Sequence, residues 1–222
     1  LVAKALETHA KLIYFANPDN PMGSWHDAAT VSRMVAAVPK GSLLVLDEAY
    51  ADLAPDGTLP AIDASDPRVI RLRTFSKGYG LAGLRVGYAV GHPDLIAAFD
   101  RVRNHFGLGR IAQAGALAAL ADQGWLGRVR TEVATAREAL AAVARANGLR
   151  PLPSATNFVT IDCGADGAFA ARVLSELGRR GVFMRMPGVA PLDRCIRVTC
   201  APGRQIAIFA EALPQALAAA RG

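Results

Sequence analysis

Residues 42–50 read SLLVLDEAY, an apolar run that ends in two carboxylates and a phenol. A run this short, with apolar residues at successive rather than alternate positions, is expected to be a strand buried on both faces of a parallel sheet. Its neighbours agree. KLIYFA (11–16) reads as a short strand that stops at the turn NPDNPMG. Residues 27–38 read as a helix, with Asp27 near its start and Pro39 just past its end. Residues 69–74 and 84–90 read as two further strands, and His92-Pro93-Asp94 opens a helix to about Asn104. Strand alternating with helix predicts an α/β sheet whose ligand site lies in the loops at the strand ends.

Further on, residues 110–147 have helical periodicity, with a break expected at Gly124-Trp125 and an end at Asn147-Gly148. NFVTIDC, GVFMR and CIRVTC read as strands, and 167–179 and 203–220 as helices. The expected organisation is a larger sheet domain over 1–110, connecting helices over 111–147 and a smaller α+β domain over 148–222.

The chain has 222 residues, 52% hydrophobic and 20% charged, which suits a folded, soluble protein. No apolar run approaches the roughly 18 residues of a membrane span. Cys163, Cys195 and Cys200 have no metal-ligand spacing, so no metal is expected, and they suit a reducing, cytoplasmic setting. The formal charge of +6 suggests anionic ligands. The arginines are dispersed without interleaved aromatics, which argues against nucleic acid.

Gly78-x-Gly80-x-x-Gly83 matches a dinucleotide fingerprint, which needs a helix immediately after it. LRVGYAV follows instead and reads as a strand, so that reading fails. Lys77 lies in the same turn, after Thr74 and Ser76. A shielded lysine there could attack a carbonyl, and the hydroxyls and backbone N–H groups could hold phosphate. From this stretch alone a plain surface lysine in a tight loop is the favoured reading, and a Ser-Lys hydrolase motif would require serine at position 74, which is threonine. Asp47, at a strand end, suits a cationic partner, either a protonated heterocycle or an arginine in a structural ion pair. Tyr50 could return its hydroxyl to the same side, and Asn20 could aim its amide at a ligand, although NPDNPMG by itself is favoured as a turn and nothing more. The strand-end acidic pair also resembles a Walker B motif, but no Walker A sequence accompanies it.

Taken in order, NPDNPMG, LDEAY, TFSKGYGLAGLRVGY, NFV and CIRVTC resemble the fold-type I pyridoxal-phosphate (PLP) aminotransferases, in their histidinol-phosphate aminotransferase-like branch. The resemblance covers nearly the whole sequence, which appears as the C-terminal portion of a chain whose first third is missing. It implies the aspartate aminotransferase-like fold and PLP as cofactor. It further implies that Lys77 bonds PLP covalently and shuttles the proton of the reaction. Asp47 would pair with the ring nitrogen, Asn20 and Tyr50 would bond the ring oxygen, and Thr74, Ser76 and Arg85 would hold the phosphate. Arg197, Arg185 and Asn157 would line the substrate pocket. A homodimer acting on an anionic amino donor and a keto acceptor is implied, with amino-acid biosynthesis as its setting. The rivals are a phospho-amino-acid decarboxylase of the same fold and a truncated, non-catalytic module.

Overall fold

A computed structural model describes residues 1–222. The chain divides into two compact units, one of residues 1–18 and 25–127, the other of residues 19–24 and 128–222.

The first unit is built on a four-stranded sheet in the order β1-β2-β3-β4. Helix α1 (Val2–Glu7) precedes β1 (Leu12–Ala16), and α2 (Ala28–Ala36) separates β1 from β2 (Leu43–Asp47). β3 (Val69–Thr74) and β4 (Gly87–Gly91) complete the sheet. β1, β2 and β3 are parallel, and β4 runs antiparallel to β3. Asp27 caps α2 by accepting the Thr30 N–H at 2.7 Å. Ala5, Met34, Val35 and Val38 pack with Ile13, Leu44 and Val69 on one face of the sheet. β2 is therefore not buried on both faces. Leu44 and Leu46 are buried, while Leu43, Val45 and Asp47 are half-buried, because the helices packed on this strand cover a single face.

Two other expectations in this unit need correction. Leu84 to Val86 are not strand. Leu84 ends a short 3-10 turn, and Arg85 takes a left-handed conformation with φ 53°, which no strand accommodates. The helix opened by His92 is α3 (Pro93–Phe99), shorter than expected. None of its residues is buried, so no packing extends it. α4 (Arg110–Ala121) follows and buries Ala112 and Ala116 against Phe75 and Val86.

α5 (Gln123–Ala146) begins one residue after Asp122, so the helix break falls at Asp122 and Gly124-Trp125 lies inside the first turn of α5. The second unit holds α5 from Arg128 onward and an antiparallel sheet of β5 (Arg150–Pro151), β6 (Phe158–Asp162) and β7 (Cys195–Thr199). α6 (Gly167–Arg179) and α7 (Gly203–Arg221) supply its core with Val173, Leu177, Phe209 and Leu213, packed against Ile161 and Ile196. GVFMR is not a strand. Gly181, at φ 75°, and the Val182 N–H bonded to Leu177 O terminate α6, leaving only an isolated bridge between Arg185 and Arg197.

Candidate functional site

The period of two along β2 sends Asp47 and Glu48 to opposite faces of the sheet. Glu48 is only 1% exposed. Its Oε1 accepts from Arg71 Nε at 3.0 Å and Arg71 Nη2 at 2.5 Å, and its Oε2 accepts from Arg73 Nε at 2.6 Å. Arg71 Nη1 also donates to the Pro60 and Ala61 carbonyls, both at 3.1 Å. Asp52 lies 3.6 Å from Arg73 Nη1. Burial works against the charge on Arg73, but the Glu48 carboxylate outweighs it and raises the guanidinium above its ordinary value. The structural ion pair envisaged for Asp47 thus belongs to its neighbour.

Asp47 is half-buried and carries no arginine. Its Oδ1 accepts the Ala49 N–H at 2.9 Å, and its Oδ2 accepts from the Tyr14 hydroxyl. Tyr14 did not emerge from the sequence as a site residue, because nothing local ties position 14 to position 47. Tyr50 follows on the turn after β2, buried at 7% exposure, and the Lys77 ammonium stands 5.3 Å from the centre of its ring.

Lys77 sits in the turn that leaves β3. Thr74 Oγ1 accepts the Ser76 N–H at 3.1 Å, and the Gly80 N–H closes onto Lys77 O at 3.0 Å. The three motif glycines have different grounds. A Cβ on Gly78 would stand 2.9 Å from Asp52 Cβ, so the turn packs on protein there, and Gly80 has φ 70°, while Gly83 faces open space. The exposed Arg85 donates from Nη1 to Ala82 O at 2.8 Å, rather than to Thr74 or Ser76.

The remaining candidates lie in the second unit. Residues 19–24 are stitched there by the Ala155 N–H on Gly23 O at 2.9 Å and the Thr160 hydroxyl on Pro21 O at 2.5 Å. Gly23, at φ 81°, admits Ser154 where a Cβ would lie 2.5 Å from its Oγ. The loop thereby presents Asn20, whose Oδ1 accepts from Arg197 Nη1. The Arg197 guanidinium also lies 4.7 Å from the centre of the Phe158 ring. Arg185 joins Arg197 through the backbone only, with its own side chain exposed. Asn157 contributes its carbonyl to the Cys200 N–H at 2.8 Å. Burial raises the Cys163 thiol to about 12 and the Cys200 thiol to about 11, so neither supplies a thiolate near neutrality.

A parallel-stranded unit with a carboxylate, a phenol, a lysine and two hydroxyls at its strand ends, followed by an α+β unit bearing arginines, has the architecture of the PLP-dependent transferase fold. The chain belongs to the aminotransferase class I and II family, which it matches over residues 1–213. It is 38% identical over 219 residues to histidinol-phosphate aminotransferase 1 of Nitrosococcus oceani, covering 97% of this chain and 58% of that protein. An aromatic amino acid aminotransferase of Nocardia farcinica is 43% identical over 174 residues, 75% of this chain and 48% of that one. Among solved structures, histidinol-phosphate aminotransferase from Sinorhizobium meliloti in complex with pyridoxal-5'-phosphate superposes with a TM-score of 0.94 at 50% identity, over 98% of this chain and 60% of that chain. The chain therefore spans well under two thirds of the length of these relatives.

Proposed function

We propose that this chain is part of a PLP-dependent transaminase that moves an amino group from an amino acid or amino-phosphate donor to a keto acid. The observation carrying this is the donor set of the first unit. A carboxylate held by two hydrogen bonds, a lysine amine beside a buried phenol, and a hydroxyl turn stand at the ends of β2 and β3. That set fits a phosphorylated aldehyde with a basic ring nitrogen.

When bound, PLP supplies an electron sink for charge developing at the donor's α-carbon. The protein does the rest. Lys77 Nζ would bond the cofactor's aldehyde carbon with loss of water; once the donor's amino group displaces it, the freed amine would take the α-carbon proton and return it. The Asp47 carboxylate holds the proton of the ring nitrogen. The Tyr50 hydroxyl and the Asn20 amide bond the ring oxygen, and Arg197 fixes the amide by donating to Asn20 Oδ1. Thr74, Ser76 and Arg85 hold the phosphate. Arg197 and Arg185 receive the anionic group of the substrate, and Asn157 lines the same pocket.

The domain reading is a PLP-binding domain over 1–110, connecting helices over 111–147 and a small domain over 148–222. The protein acts in the cytoplasm, and none of its helices is long and apolar enough to cross a membrane. A homodimer is supported by the exposed Ile111, Leu117 and Leu120 of α4.

The test is an absorbance titration of the intact protein with PLP, followed by borohydride reduction and peptide mapping. The parent acquires cofactor on Lys77, and Lys77→Ala acquires none. Equal labelling of the two proteins overturns the assignment. A donor screen on the loaded parent then separates transamination from decarboxylation by the product released.

A further inference from the structure

β1 is an edge strand of its sheet, with Ala16 opposite Asp47 and Tyr14 opposite Val45. Side chains two apart on a strand share a face, so Tyr14 stands on the face of Asp47, one step back along the neighbouring strand. The residue between them on that face is Ala16, whose methyl group leaves the diagonal clear. The phenol reaches across it, and its hydroxyl donates to Asp47 Oδ2. The Ala49 N–H holds the other carboxylate oxygen at 2.9 Å. One oxygen is thus fixed by a backbone donor of its own strand end and the other by a side chain of the next strand. A carboxylate held at both oxygens cannot turn about its last bond without breaking one of these contacts. Each oxygen can accept two hydrogen bonds, so with one donor apiece each retains a lone pair for a ligand.

Resting on the function proposed above, we propose that Tyr14 is a positioning residue for Asp47, setting the angle at which the carboxylate meets the protonated ring nitrogen of the cofactor. Tyr14 is 57% exposed in this chain, and Tyr14→Phe keeps the ring, so the substitution opens no cavity. The hydroxyl is the part that matters, and phenylalanine keeps everything else.

The experiment is a double-mutant cycle on PLP affinity in the intact protein, read by absorbance titration, with the melting temperature of the cofactor-free proteins alongside. Tyr14→Phe weakens PLP binding by roughly ten- to 150-fold, the range of a lost hydrogen bond to a charged group, with the cofactor-free melting temperature unchanged. In an Asp47→Ala background the same substitution has no effect, because the group it positions is gone. Wild-type affinity in Tyr14→Phe overturns the inference, as does an equal loss in the Asp47→Ala background, which would place the action of the phenol elsewhere. Lys77→Ala separates the two levels. If the parent and Lys77→Ala take up PLP alike, the functional reading falls and the inference falls with it. If only Lys77→Ala loses covalent cofactor while Tyr14→Phe is unaffected, the inference alone falls.

Discussion

The two faces of the parallel sheet treat adjacent carboxylates in opposite ways. On the covered face, Glu48 is enclosed by two arginines, themselves tied to carbonyls and to Asp52. On the other face, Asp47 keeps one hydroxyl and one backbone N–H as partners and stays half-buried. Both residues leave the same strand end, so the pleat alone assigns their duties. A carboxylate paired with two guanidinium groups and only 1% exposed holds strands together and is closed to a ligand. A carboxylate aligned by neutral donors keeps its charge available. A strand end can therefore be structural and functional at once, provided the two tasks fall on successive residues.

The sharpest way to break this comparison is to make one substitution at both positions. Glu48→Ala takes the counter-charge from Arg71, which is only 5% exposed, and leaves Arg73 with Asp52 at 3.6 Å. Removing one partner of a buried pair costs about 3–5 kcal/mol, since the remaining charge stays buried. Asp47→Ala costs about 1 kcal/mol or less, because what it abandons is an exposed phenol and one backbone donor. Urea denaturation of the two variants measures the difference, and equal losses would show that the faces do not differ as described. PLP affinity should rank them the other way round.

A smaller effect separates the apolar residues of the same strand. Leu44 is fully buried against α1 and α2, and Leu44→Ala should lose about 2–5 kcal/mol by deletion and cavity formation. Val45, half-buried on the face of Asp47, should lose about 1 kcal/mol on truncation to alanine. A loss at Val45 matching that at Leu44 would mean both faces are equally packed.

How far the sequence foretold this follows from what each feature depends on. β1 and β2 were legible as short apolar runs, β3 as a strand beside them, and α6 and α7 because each is long enough for its own periodicity to define it. Leu84 to Val86 misled because residue type suggests strand, whereas Arg85 takes a positive φ in the turn that delivers Lys77. GVFMR misled because its first two residues are consumed in ending α6. At the candidate site, Asp47, Tyr50 and Lys77 could be nominated from their places at strand ends. The partners of those residues could not. Arg71 and Arg73 are charges within the apolar strand β3, but only the facing of the pleat shows that they meet Glu48 rather than Asp47. Tyr14 meets Asp47 through lateral register between two strands, which no local pattern records.

The smallest expected effect lies at the edge of the covered face. Tyr88 on β4 pairs with Arg73 across the β3–β4 ladder and is 40% exposed. Burial raises its phenol above the ordinary 10.0, while the charge of Arg73 pulls the other way and Asp52, Tyr79 and Glu48 add to the rise. A phenol that ionises later in the folded chain than in the unfolded one favours folding fully below the unfolded value. As pH rises past about 10, the unfolded chain releases its proton first and that contribution is lost. Stability should therefore decline in alkali above this point, and Tyr88→Phe should make the decline shallower, as thermal melts between neutral pH and pH 11 would record. A mild slope is expected, since the ring is well over a third exposed and solvent screens its neighbours. If Tyr88→Phe leaves the alkaline slope unchanged, the charge network of the covered face ends at Arg73 and does not reach the sheet edge.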